Sequence, residues 1–174
     1  GFRDPLTGPY PIASPLRSIL RPMAITQTGT LATATRTIGC STTGAACDRS
    51  AGWVVDLAES GERINVEMKL VLGALVFASN VPVDEPCSVG GHSWFNQVDF
   101  RTGAPIPGAV TSEFLADSIN VGFNVLQLPA ATEGGNPSYT GLFRQGKAGN
   151  VNKTVTPPEP VPSGKRISWR EITQ

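Results

Sequence analysis

Histidine is almost missing from this chain: His92 stands alone among 174 residues. Charge is scarce too, at 16% of residues, and the net charge is zero. There is therefore no overall basic field to attract nucleic acid or acidic lipid. Long hydrophobic runs are lacking. The longest, Leu70 to Ala78, is broken by Gly73 and falls short of the roughly 20 residues that cross a bilayer. No C-x-x-C pair exists among Cys40, Cys47 and Cys87, which excludes the common zinc frameworks. Gly90-Gly91 and Gly134-Gly135 lack the G-x-G-x-x-G frame of a phosphate-cradling loop. The start, Gly1-Phe2-Arg3-Asp4-Pro5, is neither an initiator Met nor a signal peptide. It reads as the interior or a processed end of a longer polypeptide.

Glycine (19) and proline (15) are abundant, which favours turns and short strands over long helices. Residues 1–15 hold Pro5, Pro9, Pro11 and Pro15 and read as an extended lead-in. Leu20 to Thr26 reads as a strand, at an edge because of Pro22. Thr28-Gly29 reads as a turn, Leu31 to Thr37 as an alternating segment, and Gly39 to Ser50 as a small polar loop. Trp53 to Leu57 is a strand, followed by a turn at Glu59-Ser60-Gly61-Glu62. Ile64 to Val71 alternates. Ala74 to Ser79 reads as a buried strand, Val81 to Gly91 as a loop, and Trp94 to Phe100 as an alternating strand. Phe114 to Ser118 suggests one helical turn. Val121 to Leu128 and Tyr139 to Phe143 read as strands. Residues 153–164 form a Pro-rich loop, and 165–174 contain a closing strand with Ile167, Trp169 and Glu171 on one face. The fold class is all-β, with short antiparallel strands in a sandwich, barrel or propeller. Turn chemistry recurring after Trp53, Ala74 and Trp94 is propeller-like in spacing.

The zero net charge conceals a pattern. The first 55 residues and the last 31 are basic in balance, while residues 56–117 are acidic. Solvated faces are the ordinary reading of such runs. The sharper reading is that the acidic middle meets the basic ends, within the chain or in a neighbour.

Three stretches in order carry a resemblance. They are Gly52-Trp53-Val54-Val55-Asp56-Leu57 with Ser60-Gly61-Glu62-Arg63, then Pro86-Cys87-Ser88-Val89-Gly90-Gly91-His92-Ser93-Trp94 running into Val98-Asp99-Phe100-Arg101-Thr102-Gly103, and finally Gly164-Lys165-Arg166-Ile167-Ser168-Trp169-Arg170-Glu171. Together they resemble the C-terminal portion of PilY-type proteins, adhesins at the tip of bacterial type IV pili. The likeness covers about residues 20–103 and 164–172. It implies that residues 1–174 are the last blades of a modified β-propeller, incomplete without upstream chain. It further implies a non-enzymatic role in pilus assembly, twitching motility and surface attachment. The partners would be minor pilins, the remaining blades and host-cell or other surfaces, and the location extracellular, at the pilus tip.

The family binds calcium through a D-x-D-x-D loop. That spacing is missing here, and Asp84-Glu85 has no third ligand nearby. No cofactor is therefore expected in this segment, and calcium belongs to an upstream part. For an exported protein, Cys40 and Cys47 suit a disulfide, with Cys40–Cys87 and Cys47–Cys87 as alternatives and three free thiols in a cytosolic chain as the bland reading. Ser93 beside His92 does not complete G-x-S-x-G, since Phe95 occupies the last position. Asp99 is the one nearby acid for a Ser-His pair, and the plainer expectation is that His92 decorates the Gly90-Gly91 turn. Trp53, Trp94 and Trp169 read first as packing residues. Trp94 and Trp169, with Arg166 and Arg170, are the candidates for surface or partner contact, the arginines pairing with Asp56 or Glu62 of a neighbouring blade. Asn152-Lys153-Thr154 is a formal glycosylation sequon. The alternatives to an adhesin are a carbohydrate-binding module built on Trp94 and Trp169, or a fragment of a quinoprotein-like enzyme whose metal and quinone ligands are not evident here.

An incomplete propeller exposes strand edges and core. Residues 1–174 alone are expected to be poorly stable, and a single cooperative transition in a thermal melt would overturn that expectation.

Overall fold

The computed structural model describes residues 16–83, 90–132, 135–147 and 149–158. The lead-in at 1–15, the pair Asp84-Glu85, Cys87 and the closing segment with Arg166, Trp169 and Arg170 lie outside the described residues.

Ten strands form the described fold: β1 (Arg21–Thr28), β2 (Thr35–Cys40), β3 (Trp53–Asp56), β4 (Lys69–Val71), β5 (Ala74–Pro82), β6 (Gly91–Asp99), β7 (Ser112–Ala116), β8 (Asn120–Leu128), β9 (Ser138–Gln145) and β10 (Asn150–Val155). They make three sheets, ordered β2-β1-β3, β4-β5-β6-β7 and β10-β9-β8. The protein is all-β. Every pairing is antiparallel except β1 with β3, which run parallel.

The sheets stack in three layers because the middle one is apolar on both faces. Phe77 and Val98 pack with Met23, Ile25, Ile38 and Trp53 of the first sheet. Ala74, Val76, Ala78 and Phe95 pack with Phe123, Tyr139, Phe143 and Val155 of the third. Alternate residues of β5 and β6 thus serve two cores, as the period of two requires. The Phe95, Phe123 and Phe143 rings interlock, Phe143 edge-on to Phe95 and stacked on Phe123. Several polar side chains between the second and third layers are paired. Asn80 donates to Asn65 Oδ1 and to the Asn120 carbonyl, and Gln97 Nε2 donates to the Val110 carbonyl. Such pairing offsets their burial.

Several local expectations are corrected. β1 is a central strand, not an edge. It accommodates Pro22 because that residue faces the end of the hairpin, where the Pro22 carbonyl accepts from Ser41 N at 2.8 Å and no further ladder N–H is needed. Leu31–Thr33 is a 3-10 turn, and the strand begins only at Thr35. The loop expected at Gly39–Ser50 still belongs to β2 up to Cys40. Of Ile64–Val71 only Lys69–Val71 is strand. Arg63 pairs with Asn80 and Lys69 with Val76, so two extra residues loop out between them. β5 runs on to Pro82, into the expected loop. Phe114 to Ala116 lies in β7, not in a helical turn, because Leu115 fills the second core. Lys153–Val155 completes β10, so the Pro-rich loop starts after Val155. The strands at Ala74 and Trp94 are neighbours in one sheet rather than equivalent strands of successive blades. Among the described residues, no helix is long and apolar enough to cross a membrane.

Cys40 and Cys47 form a disulfide across the 3-10 turn Gly44–Asp48. Closing so short a loop contributes about 2 kcal/mol by the chain-entropy argument.

Gly103 shows how tightly a turn is seated. Its φ is +69°, and a Cβ there would lie 2.5 Å from Trp53 Cδ2. Gly108 has a similar φ of +74° and open space around it. In urea titrations Gly103→Ala is expected to lose about 2–4 kcal/mol, strain plus overpacking, and Gly108→Ala only about 1 kcal/mol. Equal losses would show that the Trp53 contact contributes nothing.

Candidate functional site

The candidate site is a buried ionic cluster where β2, the turn after β3 and β6 meet. The turn comes first. Gly61 supplies a φ of +73°, Glu62 N donates to the Glu59 carbonyl at 3.1 Å, and Glu59 N donates back to Glu62 Oε2 at 3.0 Å. This reciprocal pair fixes both carboxylates on one side of the turn.

Arg36 of β2 points into them. Its side chain is fully buried, as is that of Glu62. Arg36 Nη1 and Nη2 donate to Glu62 at 2.8 and 3.1 Å, Nη2 also to Glu59 Oε1 at 2.7 Å, and Nε to Gln27 Oε1 at 2.8 Å. The guanidinium carbon sits 3.6 Å from the centroid of a Trp94 ring. The planar fork thus meets two carboxylates at its rim and an aromatic face on its flat side, an arrangement suited to arginine and not to lysine.

Two β6 side chains complete the cluster. Trp94 Nε1 donates to Glu59 Oε1 at 2.8 Å, and His92 Nε2 lies 3.0 and 2.9 Å from the two Glu59 oxygens. Phe114 of β7 stacks on His92 and meets Trp94 edge-on. On the other side, Ser79 donates to Glu62, Asn96 Nδ2 to Ser79 Oγ at 3.1 Å, and Ser112 to Asn96 Oδ1 at 2.7 Å. The chain of hydrogen bonds therefore runs from β7 through β6 and β5 to the turn, and from there into β2.

Burial pushes the Glu62 carboxyl up. Hydrogen bonds from Arg36 and Ser79, the Arg36 charge and the bond from the Glu59 backbone together outweigh it and hold the group below its ordinary value of 4.5.

The sequence candidates fall out unevenly. Trp94 is fully buried and offers no surface for a sugar or a partner, because its ring is taken by Arg36 and Phe114. Trp53 is buried as well, its Nε1 donating to the Phe100 carbonyl at 2.8 Å. The carboxylates expected for Arg166 and Arg170 already hold arginines: Asp56 pairs with Arg17 and Glu62 with Arg36. Cys40 and Cys47 are joined, as one of the sequence alternatives has it. His92 is a strand residue, not turn decoration. Ser93 faces the opposite side of β6, where it donates to Gln145 Oε1 at 3.0 Å, so His92 and Ser93 form no catalytic pair. Asp99 instead accepts from Arg101 N at 2.7 Å in the following turn. Among the described residues, no group of three or more His, Cys, Asp or Glu side chains is placed to hold a metal ion. The acidic middle does meet the basic ends, through Arg17–Asp56, Arg36–Glu59, Arg36–Glu62 and Lys153–Glu113.

Arg36 is the residue that sequence reasoning missed. Its one clue is that it is the only charge within the Thr-rich stretch Leu31 to Thr37. Next to it, a cleft of about 680 Å³ opens between β2 and β7, lined by Thr35, Thr37, Ser112, Glu113 and Phe114.

Because the Glu62 pKa is lowered on folding, the unfolded chain binds the proton better. The carboxylate's contribution to stability is full above its ordinary value of 4.5 and is lost as pH falls through the lower folded-state value. Glu62→Gln is expected to cost about 3 kcal/mol at neutral pH, since Arg36 would keep only Glu59. It is also expected to flatten the acid limb of a plot of urea midpoint against pH. An unchanged acid limb would contradict the role given to this carboxylate.

No protein-family model, curated protein or solved structure matches the chain.

Proposed function

We propose that the chain is the C-terminal part of a PilY-type pilus-tip protein and that it acts by contact rather than by catalysis. One observation carries this reading: the residues of the family-like stretches hold one another. Glu62 of the first stretch belongs to the same cluster as His92 and Trp94 of the second, through Arg36 and Glu59. Trp53 of the first binds the Phe100 carbonyl and abuts Gly103 of the second. Stretches whose motif residues are taken up by such contacts build a scaffold.

The three stacked sheets suit blades of a larger β structure whose other blades lie upstream or in a neighbour. In this reading the scaffold presents loops and edge strands to minor pilins and to host or abiotic surfaces, by strand addition among other contacts. Calcium belongs to the upstream part. The disulfide suits an extracellular location reached through the periplasm. The carbohydrate-binding reading loses its Trp94 platform to burial.

Purified chain immobilised on resin is expected to retain minor pilins from pilus-shear fractions. A strain whose protein lacks this region is expected to lose piliation and twitching. No retention together with normal twitching would overturn the proposal.

A further inference from the structure

A second cleft, of about 920 Å³, lies away from the Arg36 cluster. One wall is the segment that leads into β4, with Asn65 and Glu67, and Lys69 of β4 itself. The other is the third sheet: residues 121–124 of β8, Arg144 and Gln145 of β9, and the hairpin that follows. The strand pairing is irregular at this place. Asn120 pairs with Gln145 and Gly122 with Arg144, so Val121 is an extra residue in β8. Such a bulge interrupts the ladder and re-aims its neighbours. Arg144, on the middle strand of the sheet, stands between Gly122 of β8 and Asn150 of β10. A Cβ on Gly122 or on Gly149 would meet nothing within 4 Å, so the cleft is open over both glycines.

Three charged side chains line this cleft: Glu67, Lys69 and Arg144. Lys69 Nζ donates to Glu67 Oε2 at 2.8 Å, so those two neutralise each other. The Arg144 guanidinium is exposed and has no hydrogen-bond or ion-pair partner among the described residues. A second group is also unpaired. Gln145 is only 4% exposed; its Oε1 accepts from Ser93 at 3.0 Å, while its Nε2 has no partner. Buried amide donors are rarely left so. Arg144 and Gln145 are successive strand residues, so they address different parts of the cleft.

We propose that this cleft binds a sugar that carries a carboxylate. Arg144 takes the carboxylate, because the guanidinium fork matches its two oxygens. A single unpaired cation suits one negative charge rather than the nearly double charge of a phosphate. Asn124 and Asn150 are exposed in the same cleft. Their carboxamides both donate and accept, as sugar hydroxyls require. Gln145 Nε2 supplies a donor for a further sugar oxygen. Trp94 takes no part, and the inference stands independently of the pilus reading.

Amide NMR titration of the full chain tests it, with trigalacturonate, its neutral methyl ester and acetate as probes. Trigalacturonate is expected to shift the Gly122, Gly146 and Gly149 amides saturably. The ester and acetate are expected to bind about tenfold more weakly or not at all. Arg144→Gln is expected to weaken trigalacturonate binding by about 10- to 100-fold. Arg144 is exposed, so the fold should survive the change, which the unshifted amides of β5 and β6 would report. Lys147→Gln, on the same hairpin but outside the cleft lining, is expected to leave binding unchanged. No saturable shift with trigalacturonate would overturn the proposal. So would equal binding of the ester, which removes the carboxylate, or of acetate, which removes the sugar. An equal loss in Lys147→Gln and Arg144→Gln would reveal surface charge alone and overturn it too.

Discussion

A single buried guanidinium organises the upper half of this fold. Arg36 has no exposed side-chain surface, and an unpaired charge in that position would be prohibitive. Everything around it follows from that demand. The turn after β3 must close so that Glu59 and Glu62 face the same way. β6 must place Trp94 flat against the guanidinium and His92 beside Glu59. β5, β6 and β7 must supply the Ser79, Asn96 and Ser112 hydroxyl and amide groups that satisfy what remains. Compared with a hydrophobic filling of the same volume, such a cluster adds little net stability. It does admit few alternative arrangements, because each donor has one acceptor geometry that works.

The layering answers a second constraint. β5 and β6 carry apolar side chains on both faces, so the middle sheet needs cover on both sides. The first and third sheets provide it, with buried amides of Asn80, Asn120 and Gln97 tying the third sheet to the second. The charge pattern of the sequence takes on a physical meaning in this frame. Basic residues near the two ends, Arg17, Arg36 and Lys153, reach acidic groups of the middle segment. The segment ends are drawn onto the centre of the same molecule.

These contacts shape the functional reading as well. Residues that look like a motif in the sequence, such as Trp53, Glu62, His92 and Trp94, are consumed by one another. Among the described residues, what they leave open is the cleft between β2 and β7.

The all-β class, the strands at Trp53, Ala74, Val121 and Tyr139, the Glu59–Glu62 turn and the small Cys40–Cys47 loop were legible because each depends on local properties: alternation, turn residues and short loop closure. Helix or strand at Phe114 was not legible, since five residues carry no clear period and the choice was made by Leu115 entering a core. The central place of Pro22 depended on where a hairpin partner ends. The Arg36 cluster joins residues far apart in the chain, Arg36 and Trp94 among them, which stand 58 positions from each other. No local pattern announces such a contact, and only the stacking of the sheets brings β2 over β6 and β7. Composition and alternation by themselves determined that this chain makes strands; the pairing of its buried charges, a property of folded space and not of sequence distance, was decided by the tertiary structure.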